Sequence, residues 1–210
     1  MSDAEIQFAY DLQPIEGEIL NEERFAELSA WRSILHAQDL VGHHPDYNHG
    51  FSFGNLSCRS EQELQTFVIT GSQTGSAKRF SNENLVKVID ANLERFWVES
   101  AGLVPPSMDT MTHAAIYASD ERIEYIFHIH SAEIWQHADA LNIPTITSPS
   151  GSPQASQAVI DLMGNNQSRP LVFIQSEVQN SVFAMGHLGR DCGGLLITFL
   201  AKARALSLCS

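Results

Sequence analysis

Between Glu124 and His130 the chain reads EYIFHIH, a run of tyrosine, isoleucine and phenylalanine bounded by charge on one side and Ser131 on the other. Such a run is a β-strand, and it constrains the fold more than any other segment. Side chains alternate along a strand, so His128 and His130 project from one face about two residues' rise apart. Two imidazole nitrogens can then reach one ion. Imidazole suits zinc, manganese or iron, but a site needs at least one further histidine or carboxylate. Without a third group, the pair is two polar residues on a solvated strand face. The strand ends at Ser131 and a helix start, and the end of a strand is where sites form.

Around this strand, helical and extended patterns interleave. Asn21 precedes Phe25, Leu28, Trp31, Ile34 and Leu35 at three- and four-residue steps, which predicts an N-capped amphipathic helix to about Gln38. GHHPDYNHG (42–50) is turn chemistry, and FSFGNLSCR (51–59) and LQTFVIT (64–70) read as two strands, the second leading into the loop GSQTGS (71–76). Residues 84–104 carry strand-like runs that end at Pro105 and Pro106, after which Ser107 is placed to cap a helix running to about Ser119. A short helix over SAEIWQHADAL, the breaker-rich loop TSPSGSPQ (147–154), a helix near 157–163, strands over 171–176 and 181–186, and a last helix over about 190–206 complete the order. Strands mixed with helices of this length predict an α/β sandwich. At roughly 150 residues per domain, 210 residues favour one domain, taken as 21–210 behind an irregular arm over 1–20.

Charge removes several classes of partner. With 12 Lys and Arg against 25 Asp and Glu, the formal charge is -13, which opposes binding to nucleic acid or to an anionic membrane surface. The apolar stretches fall far short of the ~20 residues of a spanning helix, and MSDAEIQFAY lacks the basic and apolar regions of a signal peptide, so a cytoplasmic location is expected. Cys58, Cys192 and Cys209 are odd in number and in no CxxC pattern, as suits buried thiols in a reducing compartment.

Nine histidines stand out in so acidic a chain. His43, His44 and His49 belong to the turn-rich loop, His113 to the helix after Asp109, and His36, His137 and His187 have no convincing partner in the sequence. That leaves His128 and His130. If the helix of Thr110–Ser119 turns at DER and strand 124–130 runs back along it, the helix start meets the strand end. A ten-residue helix spans ~15 Å and a seven-residue strand ~23 Å, which brings Asp109 within reach of the histidines. Its carboxylate would be a metal ligand or a general acid/base there, or else a charge favoured at a helix N-terminus. The Gly-, Ser- and Asn-rich loops offer backbone N–H groups and hydroxyls to an anion such as phosphate, provided that Asn55, Ser72 and Ser107 converge on the histidine pair.

The order GNLSCR, ITGSQTG, PPSMDTMTHAAIY, FHIHS and a strand pair before a C-terminal helix resembles the class II aldolase/adducin family over roughly 23–206. That resemblance implies a three-layer αβα sandwich with a central, mainly antiparallel sheet, and a homotetramer with active sites near subunit interfaces; composition allows an acidic subunit to self-associate provided that apolar positions such as Trp31, Trp97 or Trp135 contribute to the contacts. It also implies a divalent ion, zinc first and manganese or iron next, held by His128 and His130. Asp109 becomes the proton-transferring group, and Asn55, Ser72 and Ser107 hold a substrate phosphate. The implied activity is an aldolase-type lyase or an epimerase-type isomerase acting on a small hydroxycarbonyl or sugar-phosphate compound.

The sequence departs from the family where a further metal-binding histidine is expected on the last strand hairpin. FIQSEVQNSVFAMG has none, and the position falls on Glu177, Val178 or Asn180, of which Glu177 would complete a two-His, one-carboxylate site. His187 lies beyond the second strand. Gln73 and Met108 replace residues of the phosphate grip, which points to a different or non-phosphorylated substrate, and no tyrosine follows Tyr125. Opposed to the enzyme stands a non-catalytic adducin-like module that keeps the fold around a decayed metal site.

Overall fold

The computed structural model describes residues 8–15, 19–60, 66–77 and 79–208. Its framework is a nine-stranded sheet flanked by helices. The strands are β1 (Ala9–Gln13), β4 (Asn55–Arg59), β5 (Phe67–Thr70), β6 (Leu85–Asn92), β7 (Trp97–Gly102), β8 (Tyr125–His130), β9 (Thr145–Ile146), β10 (Leu171–Gln175) and β11 (Ser181–Gly186). They lie in the order β1-β7-β6-β5-β4-β8-β11-β10-β9. Neighbours are antiparallel except β1 with β7 and β9 with β10. Two short strands, β2 (Gly42–His43) and β3 (Ser52–Phe53), pair separately.

Alternation sorts each strand onto two cores. Leu56, Cys58, Phe127, Ile129, Val182 and Ala184 face α1 (Glu22–His36), α3 (Ala132–Gln136) and α5 (Gly189–Leu208), whose Leu28, Leu35, Ile134, Leu196 and Leu200 complete that layer of contacts. On the opposite face Ile69, Val86, Ile126, Phe173, Phe183 and Met185 meet Met111, Ala115 and Ile116 of α2 (Thr110–Ser119) and Val159 and Met163 of α4 (Pro153–Asn165). Each large side chain withdrawn from water in these cores contributes about 1.5–3 kcal/mol. α5 approaches α1 closely because Gly193 has no side chain. A Cβ there would stand 2.2 Å from the Trp31 ring.

Several local expectations change. Residues 9–13, read as irregular, form the edge strand β1, because the Ser100 hydroxyl donates to Asp11 O and the backbone pairs with β7. The single strand over 51–59 is two, broken at Gly54, whose φ of +71 is a left-handed value that turns the chain out of the sheet. Of the strand read over 64–70, residues 64 and 65 lie outside the described residues. Ser107 does not cap α2. Asp109 occupies the N-cap, without a side-chain capping bond, while the Ser107 carbonyl accepts from Thr110 N and Oγ1. The helix from Ser131 ends at Gln136, and α4 begins four residues earlier than read, at Pro153, capped by Ser152. Cys58 and Cys192 are buried and free, and Cys209 lies outside the described residues.

Candidate active site

The antiparallel order β4-β8-β11 puts the start of β4, the end of β8 and the start of β11 at one edge of the sheet. α2 begins over the same edge. Residues of even spacing on these strands share the face that carries α2 and α4, so Asn55, His128, His130 and Ser181 converge there, with Asn55 opposite His128 and Ser181 opposite His130. The two imidazole rings lie 5.1 Å apart, and His128 stacks on Phe183 at 4.1 Å with 5° between the planes.

Asp109 is the hub. Its Oδ2 lies 3.0 Å from His128 Nδ1 and accepts from Asn55 Nδ2 at 2.8 Å, while Oδ1 accepts from the Ser150 hydroxyl at 2.6 Å. Burial by itself would favour the neutral acid. The opposing pull of His128, the Ser150 bond and the field of His113 is larger, and the carboxyl is held well below the usual carboxylate range. An acceptor-only carboxylate on Nδ1 places a proton there, and Nε2 meets the Ser181 hydroxyl at 3.0 Å.

His130 is tied differently. Its Nδ1 sits 2.9 Å from the Tyr47 hydroxyl, which also accepts from Asn180 Nδ2 at 3.0 Å. Burial, then the neighbouring His128 charge, outweigh the pull of Asp109 and push the imidazole down to about 3, so it is neutral at ordinary pH. Burial likewise raises the Tyr47 hydroxyl against the Asn180 hydrogen bond. Behind the pair, His113 is fully buried, bonded through Nδ1 to Ser57 Oγ at 2.7 Å, which in turn meets the Tyr117 hydroxyl at 2.8 Å. Its Nε2 has no hydrogen-bond partner, and burial lowers its pKa to about 3.

A cleft of about 220 Å³ opens onto these groups. Asn55, Ser72, Ser107, Asp109, His128 and His130 all line it. Among the described residues no Lys or Arg side chain does. The 71–75 loop is fastened to β3: Ser52 N donates to Gln73 Oε1, and Gly75 N donates to Ser52 Oγ. Gln73, at φ +57, thus spends its side chain on the backbone N–H of Ser52. Asn55 has its amide nitrogen on Asp109 and its Oδ1 buried without a partner.

Glu177 stands apart. It is exposed on the turn between β10 and β11, and the turn residue that lines the cleft is Val178. The residue that reaches the pair from β11 is Ser181, which the sequence did not single out. Tyr47, Ser150 and Asn180 were also missed as members of the hydrogen-bonded set. Only the strand register could have found Ser181, since it is the residue directly across from His130.

A divalent ion expected from the resemblance needs a donor set, and the residues present do not complete one. Three of the four ring nitrogens of the pair are already hydrogen-bonded, to Asp109, Ser181 and Tyr47. Asp109 is occupied through both oxygens. No group of three or more His, Cys, Asp or Glu suited to a metal ion occurs among the described residues.

A mixed sheet with a buried imidazole pair at its edge and a carboxylate at a helix start defines a class. The family described as Class II Aldolase and Adducin N-terminal domain matches residues 35–170, and the chain belongs to it. Among solved structures, YgbL from Escherichia coli is 14% identical, with a TM-score of 0.68 and 90% of each chain covered. An L-fuculose 1-phosphate aldolase is 15% identical, with a TM-score of 0.67 over 90% of this chain and 87% of that one. The Thermus thermophilus enzyme of the same name is 19% identical, with a TM-score of 0.63, over 88% and 92%. At these identities the likeness concerns the fold. No curated protein matches the chain, and no helix among the described residues is long and apolar enough to cross a membrane.

Proposed function

We propose that the cleft binds a small hydroxycarbonyl compound, a sugar phosphate first among them, and moves a proton at the carbon beside its carbonyl, in an aldolase-type lyase or epimerase-type isomerase reaction. The observation that carries this reading is the meeting of Asp109, His128 and His130 in one cleft that the 71–75 loop and Ser107 also line. Family membership supports the same direction.

Removing a proton beside a carbonyl leaves an enediolate, whose oxygens need donors aimed at them in a site shielded from water. Among the described residues, His130 Nε2 is the ring nitrogen of the pair without a hydrogen-bond partner, and His130 lines the cleft. With Asn180 donating to the Tyr47 oxygen, the Tyr47 proton is directed to His130 Nδ1, and Nε2 then carries the proton offered to the oxyanion. Asp109 Oδ1 takes the proton of the carbon acid as the Ser150 hydroxyl turns away from it, while His128 and Asn55 stay on Oδ2, and the same carboxyl returns the proton. Ser72, Ser107 and the N–H groups of the 71–75 loop take the far end of the substrate. With no cationic side chain there among the described residues, and with Gln73 holding one N–H, the grip on a phosphate is light.

The test is cleavage of L-fuculose 1-phosphate and of unphosphorylated L-fuculose, followed by release of the aldehyde. Turnover of either, lowered by about 10²–10⁴-fold in His130→Gln and in Asp109→Asn, is the expected result. Saturable binding of these sugars without turnover or proton exchange defeats the enzyme reading in favour of the second one, a non-catalytic module. The feature that favours this second reading is a serine hydroxyl against His128 Nε2 where a catalytic centre of the expected kind needs a ligand.

A homotetramer follows from the same family reading. Tyr10 and Leu12 on the edge strand, with Ile34, Leu103 and Leu208, are the exposed large apolar residues among those described. Light scattering that returns the mass of four chains supports it, and a monomer mass rejects it.

A further inference from the structure

Ser181 lies in β11 directly opposite His130, with its side chain on the same face, and its Oγ is 3.0 Å from His128 Nε2. It is fully buried. A residue opposite another in an antiparallel pair has its Cβ about 4.5–5.5 Å away, so a donor atom on residue 181 reaches one imidazole across the ladder and the other along the diagonal. No other position of β11 combines these two relations. Phe183, the next residue on that face, is stacked on His128.

We infer that Ser181 takes the place from which a third donor would join the two imidazoles, and that its hydroxyl makes this chain a member of the fold without a resident divalent ion. A catalytic zinc site takes three protein ligands drawn from imidazole, thiolate and carboxylate. A neutral serine hydroxyl is none of these, and here it engages the His128 Nε2 that a metal would need. Asp109 cannot take over without abandoning Asn55, Ser150 and His128. Tyr47, on the far side of His130, is held by Asn180. The groups that surround metal-ligating histidines elsewhere, a carboxylate and a hydroxyl on the two Nδ1 atoms, are kept. What they orient here is a hydrogen-bonded chain, Asp109–His128–Ser181. Ser181 has no exposure and does not line the cleft, so this chain positions His128 and presents no nucleophile.

The inference does not rest on the proposed reaction, because metal content is read without substrate. Purified wild-type protein, Ser181→His and Ser181→Cys are equilibrated with zinc, passed over a desalting column and assayed for bound metal, with circular dichroism as the check on folding. Ser181→Cys changes one atom of a buried side chain and keeps the test open where the larger imidazole does not pack. Wild type is expected to emerge without stoichiometric zinc. The variants are expected to retain one ion per chain, with affinity raised by more than about 100-fold, the upper end of what an outer-sphere partner alone is worth. Cobalt added to Ser181→Cys should give a thiolate-to-metal absorption band. Wild type that keeps a full equivalent of zinc, manganese or iron overturns the inference. So do folded variants that gain no affinity, since residue 181 is then not the third-donor place.

Discussion

Replacing Asp109 by asparagine tests the hub of the site with almost no change in volume. The carboxylate accepts three hydrogen bonds, from Asn55 Nδ2, His128 Nδ1 and Ser150 Oγ. It makes no capping bond to α2, so no helix-capping loss enters. In Asp109→Asn the amide oxygen can stay toward Asn55 and His128 while the new NH₂ faces Ser150, whose hydroxyl turns to accept. All three bonds thereby lose the carboxylate's charge. Bonds to charged groups contribute about 1.5–3 kcal/mol and neutral ones about 0.5–1.5, so the loss is about 3–4.5 kcal/mol. In a domain of this size that lowers Tm by roughly 6–18 °C. The pH dependence supplies a second signature. A carboxyl whose folded pKa lies below its unfolded value of about 3.9 stabilises fully above that pH and loses its contribution as the pH falls through the folded pKa. Urea denaturation of wild type and Asp109→Asn from pH 7 to 2.5 should show a gap that narrows below about pH 4. A gap below about 0.5 kcal/mol at pH 7, or one that does not shrink in acid, refutes an ionised, triply bonded Asp109.

Three further perturbations follow. Gly54→Ala forces a Cβ to 2.6 Å from Val41 and 2.9 Å from the His128 carbonyl at a left-handed φ, and should cost about 3 kcal/mol in chemical denaturation, strain and overpacking together; an unchanged midpoint contradicts that reading. His113, neutral in the fold with a pKa of about 3, binds a proton more readily once unfolded. Stability should therefore fall by about 1.4 kcal/mol per pH unit below roughly 6.5 on its account, and His113→Asn should flatten that limb between pH 6 and 4, as read by urea midpoints; an unaltered limb removes His113 as its source. Gly193→Ala should lower Tm by several degrees, because its Cβ meets Trp31 ring atoms at 2.2–2.6 Å, and calorimetry on this variant with Trp31→Phe should show the loss partly relieved.

What the sequence exposes of this fold is periodic. β8 with its two histidines, α1 with its Asn21 cap, β6, β7 and the β10–β11 hairpin lie where alternation and three- to four-residue spacing put them. The misplacements have physical causes that no local pattern carries. Gly54 interrupts an apolar run through its φ, and β1 exists only because β7 offers it a partner. For the site, the convergence of Asn55, Ser72, Ser107, Asp109 and the histidines follows from motif order and from α2 running back along β8. The third position did not follow. Choosing among Glu177, Val178 and Asn180 required a register, and the register sets Ser181, not one of these three, across from His130. Tyr47 and Ser150 sit in loops whose composition announces a turn and nothing of where its side chains point.

The central claim is that this cleft activates the carbon next to a carbonyl, and the most direct measurement is exchange of that carbon's hydrogen with solvent deuterium, followed by proton NMR on dihydroxyacetone phosphate, the carbonyl fragment that cleavage of L-fuculose 1-phosphate releases, with wild type, His130→Gln and Asp109→Asn. Cleavage takes the proton of the C4 hydroxyl and leaves this fragment as the enediolate, so exchange on the fragment reports the proton transfer at carbon by itself. The expected result is catalysed loss of that proton signal with wild type and rates lower by about 10²-fold or more in both variants. Exchange no faster than in buffer with wild type, or equally fast in all three proteins, contradicts the account.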